Sequence, residues 1–371
     1  MISILLSAVA FLALLTVLVL IHELGHFTLA RRAGVTVEEF GFGLPPRAKT
    51  LFWNGGTRFS LNWIPFGGFV RLQGENAETQ QERTAKGSFA NASGFWRVAI
   101  LVAGVAMNFL FAIVLLTIGF SVGRWIPTYL TFEEMRAAAV AGEIHMDPGV
   151  LIDQVLPGGA AATAHVPLRG VLLTIDGAPV FAPTDVAAIQ RGKTSVRYTL
   201  LPAEDAARPL TITVPVRDGK TGIGLVPWLH GVSAPERSVW TGFLLALRES
   251  RVMTVQTIEG IGKLAASLLL GGRVPEGITG IVGIAQLTHS SLQEGFLTYL
   301  RLVALLSLSL AILNILPLPA LDGGRLLFVL IELVRGKPMN RTMETWTNAV
   351  GFAVLLGLII IITYHDVVRL F

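Results

Sequence analysis

The chain has 371 residues, 52% of them hydrophobic and 15% charged, with a mean hydropathy of +0.64. That is too apolar for an ordinary soluble enzyme, and it calls for membrane spans. The absence of cysteine excludes disulfides, thiolate metal ligands and cysteine nucleophiles, while the net charge of +4 follows the basic loops rather than one stripe, which argues against nucleic-acid binding.

Four apolar runs, at about residues 2–30, 95–122, 299–317 and 348–364, meet the roughly 17–25 residues that a spanning helix needs. The first lacks a basic leader and is expected to stay in the mature protein. Its only ionisable side chains are His22, Glu23 and His26, arranged as HExxH. On a helix the two histidines lie one turn apart, about 6 Å along the axis, so both imidazoles reach one ion, with Glu23 beside them as a base acting on metal-activated water. HExxH also arises by chance in soluble helices. Here a charge at the centre of a span costs roughly 2.5–3.5 kcal/mol, and three polar groups in lipid need a shared partner, which a metal supplies.

The loop from 31 to 97 carries Arg31, Arg32, Arg47, Lys49, Arg58, Arg71, Arg83 and Lys86. Within it, short β-like runs at 51–53 and 57–64 flank Asn54-Gly55-Gly56, the pattern of a hairpin. In the second run Gly104 and Asn108 are four apart and share a face. Gly104 suits close helix packing, and Asn108 reads either as a polar bridge between helices or as support for an active site.

Residues 141–230 alternate strand and turn signals. The stretches Gly149-Val150-Leu151-Ile152 through Pro157-Gly158-Gly159-Ala160 and Gly170-Val171-Leu172-Leu173-Thr174-Ile175-Asp176-Gly177 resemble a PDZ domain of the bacterial protease type, with Val171 in place of the usual acidic residue. There is length for one such domain. From 237 to 270 apolar residues recur at helical spacing, but Arg248, Glu249, Arg251 and Glu259 make the segment too charged to span, so helices lying on the outer membrane surface or clamping the domain before them are expected. Gly277-Ile278-Thr279-Gly280-Ile281 is expected to be a structural element beside the third run.

A hydrolytic zinc site takes three protein ligands, and nothing near His26 continues the helical motif. The apolar stretch 299–321 ends in Asn314-Ile315-Leu316-Pro317-Leu318-Pro319-Ala320-Leu321-Asp322-Gly323-Gly324. Alone, Asp322 reads as an Asp-Gly turn at a helix end. HExxH on the first span together with NxxPxPxLDGG on a late one resembles the site-2 protease family of intramembrane zinc metalloproteases. The resemblance implies Zn2+ held by His22, His26 and Asp322, Glu23 as catalytic base, and Asn314, Pro317 and Pro319 as substrate-binding residues. Gly104 and Asn108 become active-site support. The prolines also break the helix and free carbonyls at membrane depth, where a substrate strand can meet them. In this family the first loop dips into the membrane as a β-loop; a cytoplasmic hairpin packed on the helix ends fits the residues equally well.

The expected fold is a polytopic α-helical membrane protein with about four transmembrane helices, a membrane-associated β-hairpin loop and an inserted extracytoplasmic PDZ-like domain. Its expected parts are 1–140, the first membrane region; 141–230, the PDZ-like domain; 231–297, amphipathic connecting helices; and 298–371, the second membrane region. Basic residues in the first loop, and Arg325, Arg335, Lys337 and Arg341 in a short loop after Asp322, place both on the cytoplasmic side, and the resemblance implies a bacterial inner membrane. The implied function is regulated intramembrane proteolysis in a stress response, on single-pass substrates trimmed beforehand. Anti-sigma factors and signal-peptide remnants are the implied kinds. The PDZ-like domain then binds a substrate C-terminus, excludes bulky ectodomains or is a spacer. The alternatives are a PDZ-bearing membrane scaffold or chaperone with a structural metal, and a transporter, for which the expected paired broken helices are missing.

Overall fold

The computed structural model describes residues 2–77, 79–203, 208–228, 231–271, 274–275 and 277–369. The chain forms two compact units, one of Met1–Gly123 with Arg237–Phe371 and one of Arg124–Glu236. The second is wider at both ends than the expected 141–230, and residue 230 itself lies outside the described residues.

Helix α1 (Ile2–Arg32) runs unbroken because no glycine or proline occurs before Gly25. It closes on Arg31 and Arg32, cations that suit the negative end of the helix dipole, and Gly34 (φ 75°) turns the chain away. Strands β1 (Val37–Asn54) and β2 (Thr57–Leu72) are far longer than the short runs expected. They join through Gly55 and Gly56, whose φ angles of 57° and 83° are those of a tight hairpin turn. The sheet lies along α1: Gly68 abuts Leu20, and Gly55 abuts the Arg31 guanidinium. The residues of α1 so touched are 11 apart, about 16 Å of helix. The sheet therefore descends beside the apolar helix as far as the HExxH turn.

Helix α2 (Gln80–Thr84) is capped by Thr79 and Glu82. Helix α3 (Gly94–Ser121) packs against α1, and its small residues Ala103, Gly104, Ala112 and Gly119 are buried. Close approach of backbones is how helices associate where lipid competes equally for apolar side chains.

The second unit comprises α4 (Phe132–Val140), β3 (His145–Met146), β4 (Val150–Val155), α5 (Ala160–Thr163), β5 (Val171–Ile175), β6 (Ala178–Pro179), α6 (Pro183–Gln190), β7 (Ser195–Leu201), β8 (Leu210–Pro215), β9 (Ile223–Pro227) and β10 (Val232–Ser233). An antiparallel sheet of order β8-β7-β5-β4-β9, with β6 on β5, closes over a core that includes Ile152, Leu172, Ile175, Leu200 and Val214. Strand β7 shows why: Val196, Tyr198 and Leu200 point inward on alternate positions. Burial pushes the Tyr198 hydroxyl up to about 12, so it stays neutral and pairs with Gln190 and Thr221.

The chain returns through α7 (Val239–Gly271), a single helix, then α8 (Ile281–Glu294), α9 (Phe296–Ile315), α10 (Asp322–Arg335) and α11 (Arg341–Val368). Helix α7 packs on α3 and α9, and its buried Glu249 meets Arg301 of α9 at 3.4 Å. Gly280, in the glycine-rich element, caps α8, where Asp366 of α11 accepts the N–H groups of Gly280 and Gly283, both at 2.9 Å. A carboxylate on two free amides at a helix start is a charge-assisted cap. At the other end of α11, Gly351 touches Pro319, and Asn348 accepts the Ala320 N–H at 3.2 Å.

Leu5–Arg32, Gly94–Ser121, Phe296–Ile315 and Thr342–Val368 are long and apolar enough to cross a membrane, matching the four expected runs to within a few residues, except that the last begins earlier. Two expectations are corrected. The third run does not carry Asp322 on its own end, because α9 stops at Ile315 before Pro317 and Pro319. The stretch after Asp322 is helix α10 and not a loop, since Leu326, Val329, Leu330 and Leu333 recur at helical spacing until Gly336 (φ 62°) ends it.

The second unit has its own core, so residues 124–236 expressed alone are expected to unfold cooperatively in urea, and Leu172→Ala to lower that stability by about 2–5 kcal/mol. Asp176 is held below the ordinary carboxylate range by Lys193, which donates to it at 2.7 Å, and by the Arg197 N–H at 2.8 Å. A carboxylate depressed in the folded state contributes stability above its unfolded pKa and loses it as pH falls through the folded value. Asp176→Asn should therefore flatten the loss of stability below the ordinary aspartate range; an unchanged acid profile would remove Asp176 from that account.

Candidate metal centre

Three side chains converge where α1, α3 and α10 meet. His22 Nε2 lies 2.7 Å from Asp322 Oδ2, His26 Nε2 lies 3.3 Å from the same oxygen, and the two Nε2 atoms are 3.0 Å apart. Both histidines are buried and Asp322 is largely so. Among the described residues this is the one cluster of histidine and acid side chains whose donor atoms all lie within 4.8 Å of one another.

The arrangement fits a zinc ion. Two tetrahedral ligands at about 2.0 Å from zinc stand about 3.3 Å apart, and the triangle here has edges of 2.7, 3.0 and 3.3 Å. Two imidazole nitrogens and a carboxylate oxygen drawn to one buried point are a donor set that a single cation satisfies. His26 Nδ1–H donates to the Ile100 carbonyl of α3 at 2.8 Å, which fixes the ring and leaves Nε2 for the ion. His22 Nδ1 is buried without a hydrogen-bond partner, so only its outer nitrogen is engaged.

Glycines let the helices close around these groups. A Cβ on Gly104 would stand 2.5 Å from His26 Nε2 and 2.7 Å from His22 Nε2. Gly25, between the histidines, abuts the Ala103 carbonyl of α3, where a side chain would force the helices apart. Gly323 and Gly324 let the carbonyls of Ile315, Leu316 and Leu318 fold onto the first turn of α10, placing Asp322 opposite His22 after the break in α9. Each proline in that break lacks an N–H and so cannot continue the helix.

Glu23 does not join the triangle. Its Oε2 accepts the Val70 N–H of β2 at 2.8 Å, and it lines a cavity of 470 Å³ together with His26, Asp322, Arg97, Arg325 and Glu332. The cavity walls carry two ion pairs, Arg97 with Glu332 at 2.7 Å and Arg325 with Glu75. It is polar enough to hold water beside Glu23.

The remaining expected site residues are placed differently. Asn108 is fully buried one turn beyond Gly104, with no partner for its side-chain amide, while its backbone carbonyl accepts from Ser307 of α9. Asn314 sits at the end of α9, Pro317 is exposed and Pro319 lies against Gly351; none of them lines the cavity at Glu23. Val70 and Ile100 were not singled out from the sequence. They act through backbone atoms, which residue type does not reveal.

A histidine pair and a distant carboxylate converging between apolar spans is the donor set of a membrane metallopeptidase. The chain belongs to peptidase family M50, whose model matches residues 10–358. Similar proteins that it covers end to end include the zinc metalloprotease RasP of Geobacillus kaustophilus, 28% identical over 98% of each chain. Another is the regulator of sigma-W protease RasP of Bacillus subtilis, 26% identical over 98% of this chain and 99% of that one.

The steric role of Gly104 is testable. Gly104→Ala is expected to lower zinc content and proteolysis more than tenfold, about 1.4 kcal/mol or more, with helix content by circular dichroism unchanged. Full metal occupancy in that variant would mean that α3 yields without cost.

Proposed function

We propose that the protein is an intramembrane zinc metalloendopeptidase that cuts transmembrane segments of single-pass membrane proteins. The observation that carries the reading is the meeting of His22 and His26 with Asp322, 300 residues away, beside a span-length helix. His22, His26 and Asp322 would hold zinc. Bound there, the ion supplies polarisation of water and of the scissile carbonyl.

The chain's own groups do the rest. Glu23 stands free of the ligand triangle and faces the cavity, so it takes the proton from the attacking water and returns it to the leaving amine. Val70 N–H holds that carboxylate in place. A helix hides its carbonyls in internal hydrogen bonds, so the substrate unwinds before attack; the β2 strand beside Glu23 offers a backbone to pair with, and Asn314, Pro317 and Pro319 border the break in α9 from which a second strand contact comes. Gly104 and Asn108 support the site from α3.

The Arg124–Glu236 unit is read as one PDZ-like domain on the extracytoplasmic side of a bacterial inner membrane, with the metal centre toward the cytoplasm. Strand β9 is an edge strand with α6 close by, the setting for peptide addition. This supports either recruitment of a trimmed substrate C-terminus or exclusion of bulky ectodomains. The name of the Bacillus subtilis relative, a regulator of sigma-W, favours anti-sigma factors as the substrate type. A scaffold or chaperone with a structural metal is disfavoured by membership of a peptidase family.

Glu23→Gln should retain zinc and fold while cleavage falls at least about a hundredfold, and Asp322→Asn should lose zinc as well as activity. The assay is metal analysis alongside cleavage of a single-pass substrate in proteoliposomes. Appreciable turnover by Glu23→Gln would refute the mechanism, and full, tight zinc in Asp322→Asn would overturn the ligand set. Excising the second unit behind a linker should leave zinc in place and admit substrates that keep their ectodomains; unchanged discrimination against them would sink the exclusion role.

A further inference from the structure

The β1–β2 sheet holds a charge imbalance that the peptidase chemistry does not use. Glu39 is 1% exposed and is the shared partner of three guanidinium groups: Arg47 Nε at 2.9 Å, Arg58 Nη2 at 3.2 Å and Arg71 Nη1 at 3.5 Å. In the strand register Glu39 faces both Arg58 and Arg71. One carboxylate against three cations leaves two positive charges uncompensated. Arg47 and Arg71 keep 38% and 50% of their side chains exposed, and Arg58 Nε is buried with no hydrogen-bond partner. Surplus charge is costly wherever apolar surface surrounds it, unless an anion completes the cluster.

The surroundings are apolar and outward-facing. Trp53, Leu61, Trp63 and Phe66 of the same sheet are exposed, and Arg58 and Arg71 lie over the rings of Trp53 and Phe69 at 5.4 and 5.6 Å. Beside the turn of the sheet stands Arg31, at the end of a span-length helix, whereas Gly68 reaches Leu20 deeper along that helix. Trp53 and Arg58 pair beside that turn, at the Arg31 end of the span, where tryptophan and arginine side chains meet lipid headgroups. Guanidinium forks pair with phosphate oxygens two at a time.

We propose that Arg47, Arg58 and Arg71 around Glu39 form a binding site for the phosphate of an anionic phospholipid, such as phosphatidylglycerol. The lipid supplies the missing negative charge and its acyl chains cover the exposed aromatic face. Arg71 directly follows Val70, whose N–H holds Glu23. A headgroup on Arg71 therefore steadies the strand that orients the proposed base, a link that rests on the functional reading above, whereas lipid binding itself does not.

The test uses the full chain in nanodiscs of phosphatidylcholine with or without phosphatidylglycerol. It reads phospholipid retained through detergent extraction by native mass spectrometry and, separately, cleavage of a single-pass substrate. Wild type should retain phosphatidylglycerol and cleave several-fold faster in its presence. Arg47→Gln/Arg71→Gln should lose at least fivefold in retention and lose the rate dependence, while keeping the rate seen in phosphatidylcholine. Arg71→Lys, which keeps charge without the fork, should retain an intermediate amount, and Arg251→Gln on α7 should match wild type. Retention equal to wild type in the double variant would overturn the site. So would inorganic phosphate added to phosphatidylcholine discs reproducing the rate effect, because the cluster would then serve a soluble anion. Retention without any rate effect would uphold the site and break its link to Glu23. A chain inert in every bilayer that still retains the lipid would count against the peptidase reading alone.

Discussion

Three polar donors drawn to one point between apolar helices set the terms for the rest of the molecule. His22 and His26 on α1 and Asp322 on α10 belong to opposite ends of the chain, and each is costly to bury alone. Their meeting requires α1, α3 and α10 to approach closely, so glycine occupies Gly25, Gly104, Gly323 and Gly324 where backbones or rings press together. It also requires α9 to end early enough for Asp322 to open a new helix, which the prolines and the folded carbonyls of residues 315–318 accomplish. Large apolar side chains are abundant in this unit, but small ones fix its geometry.

Around that point the polar groups are divided by task. The buried nitrogens and Asp322 face one another, His26 is braced by a backbone carbonyl, and Glu23 is turned outward to a cavity and a strand amide. A base that also held the metal would be a poorer proton acceptor, and in the proposed mechanism separate anchorage of Glu23 by Val70 avoids that conflict. The sheet is thus more than a cover for α1; its Val70 amide reaches the proposed base.

The four spans and the HExxH turn are legible in the sequence, because apolar length and motif spacing are properties of side chains in order, whereas Asp322 stands out only through the family resemblance. Less of the architecture was legible where one signal masked another. The prolines mark the end of α9, but the basic residues after Asp322 read as a loop and mask the separate helix α10 that Asp322 opens. The basic residues of the first loop read as a sidedness signal, and only non-local strand register brings three of them onto Glu39. Val70 and Ile100 were invisible for a simpler reason: any residue except proline offers the amide of Val70, and any residue at all offers the carbonyl of Ile100. The placement of Asn314, Pro317 and Pro319 away from the cavity likewise depends on how the α9 break folds, which no local pattern states.

Helix α11 is attached unusually for so apolar an element. Apart from Gly351 and Asp366 none of its described residues is buried, and it is fastened by Asn348 and Gly351 against the α9–α10 connection and by Asp366 on the start of α8. Little core holds the stretch between those points, and the connection that α11 touches is the one that delivers Asp322. The seating of α11 therefore bears on where Asp322 stands, at a distance from the centre itself.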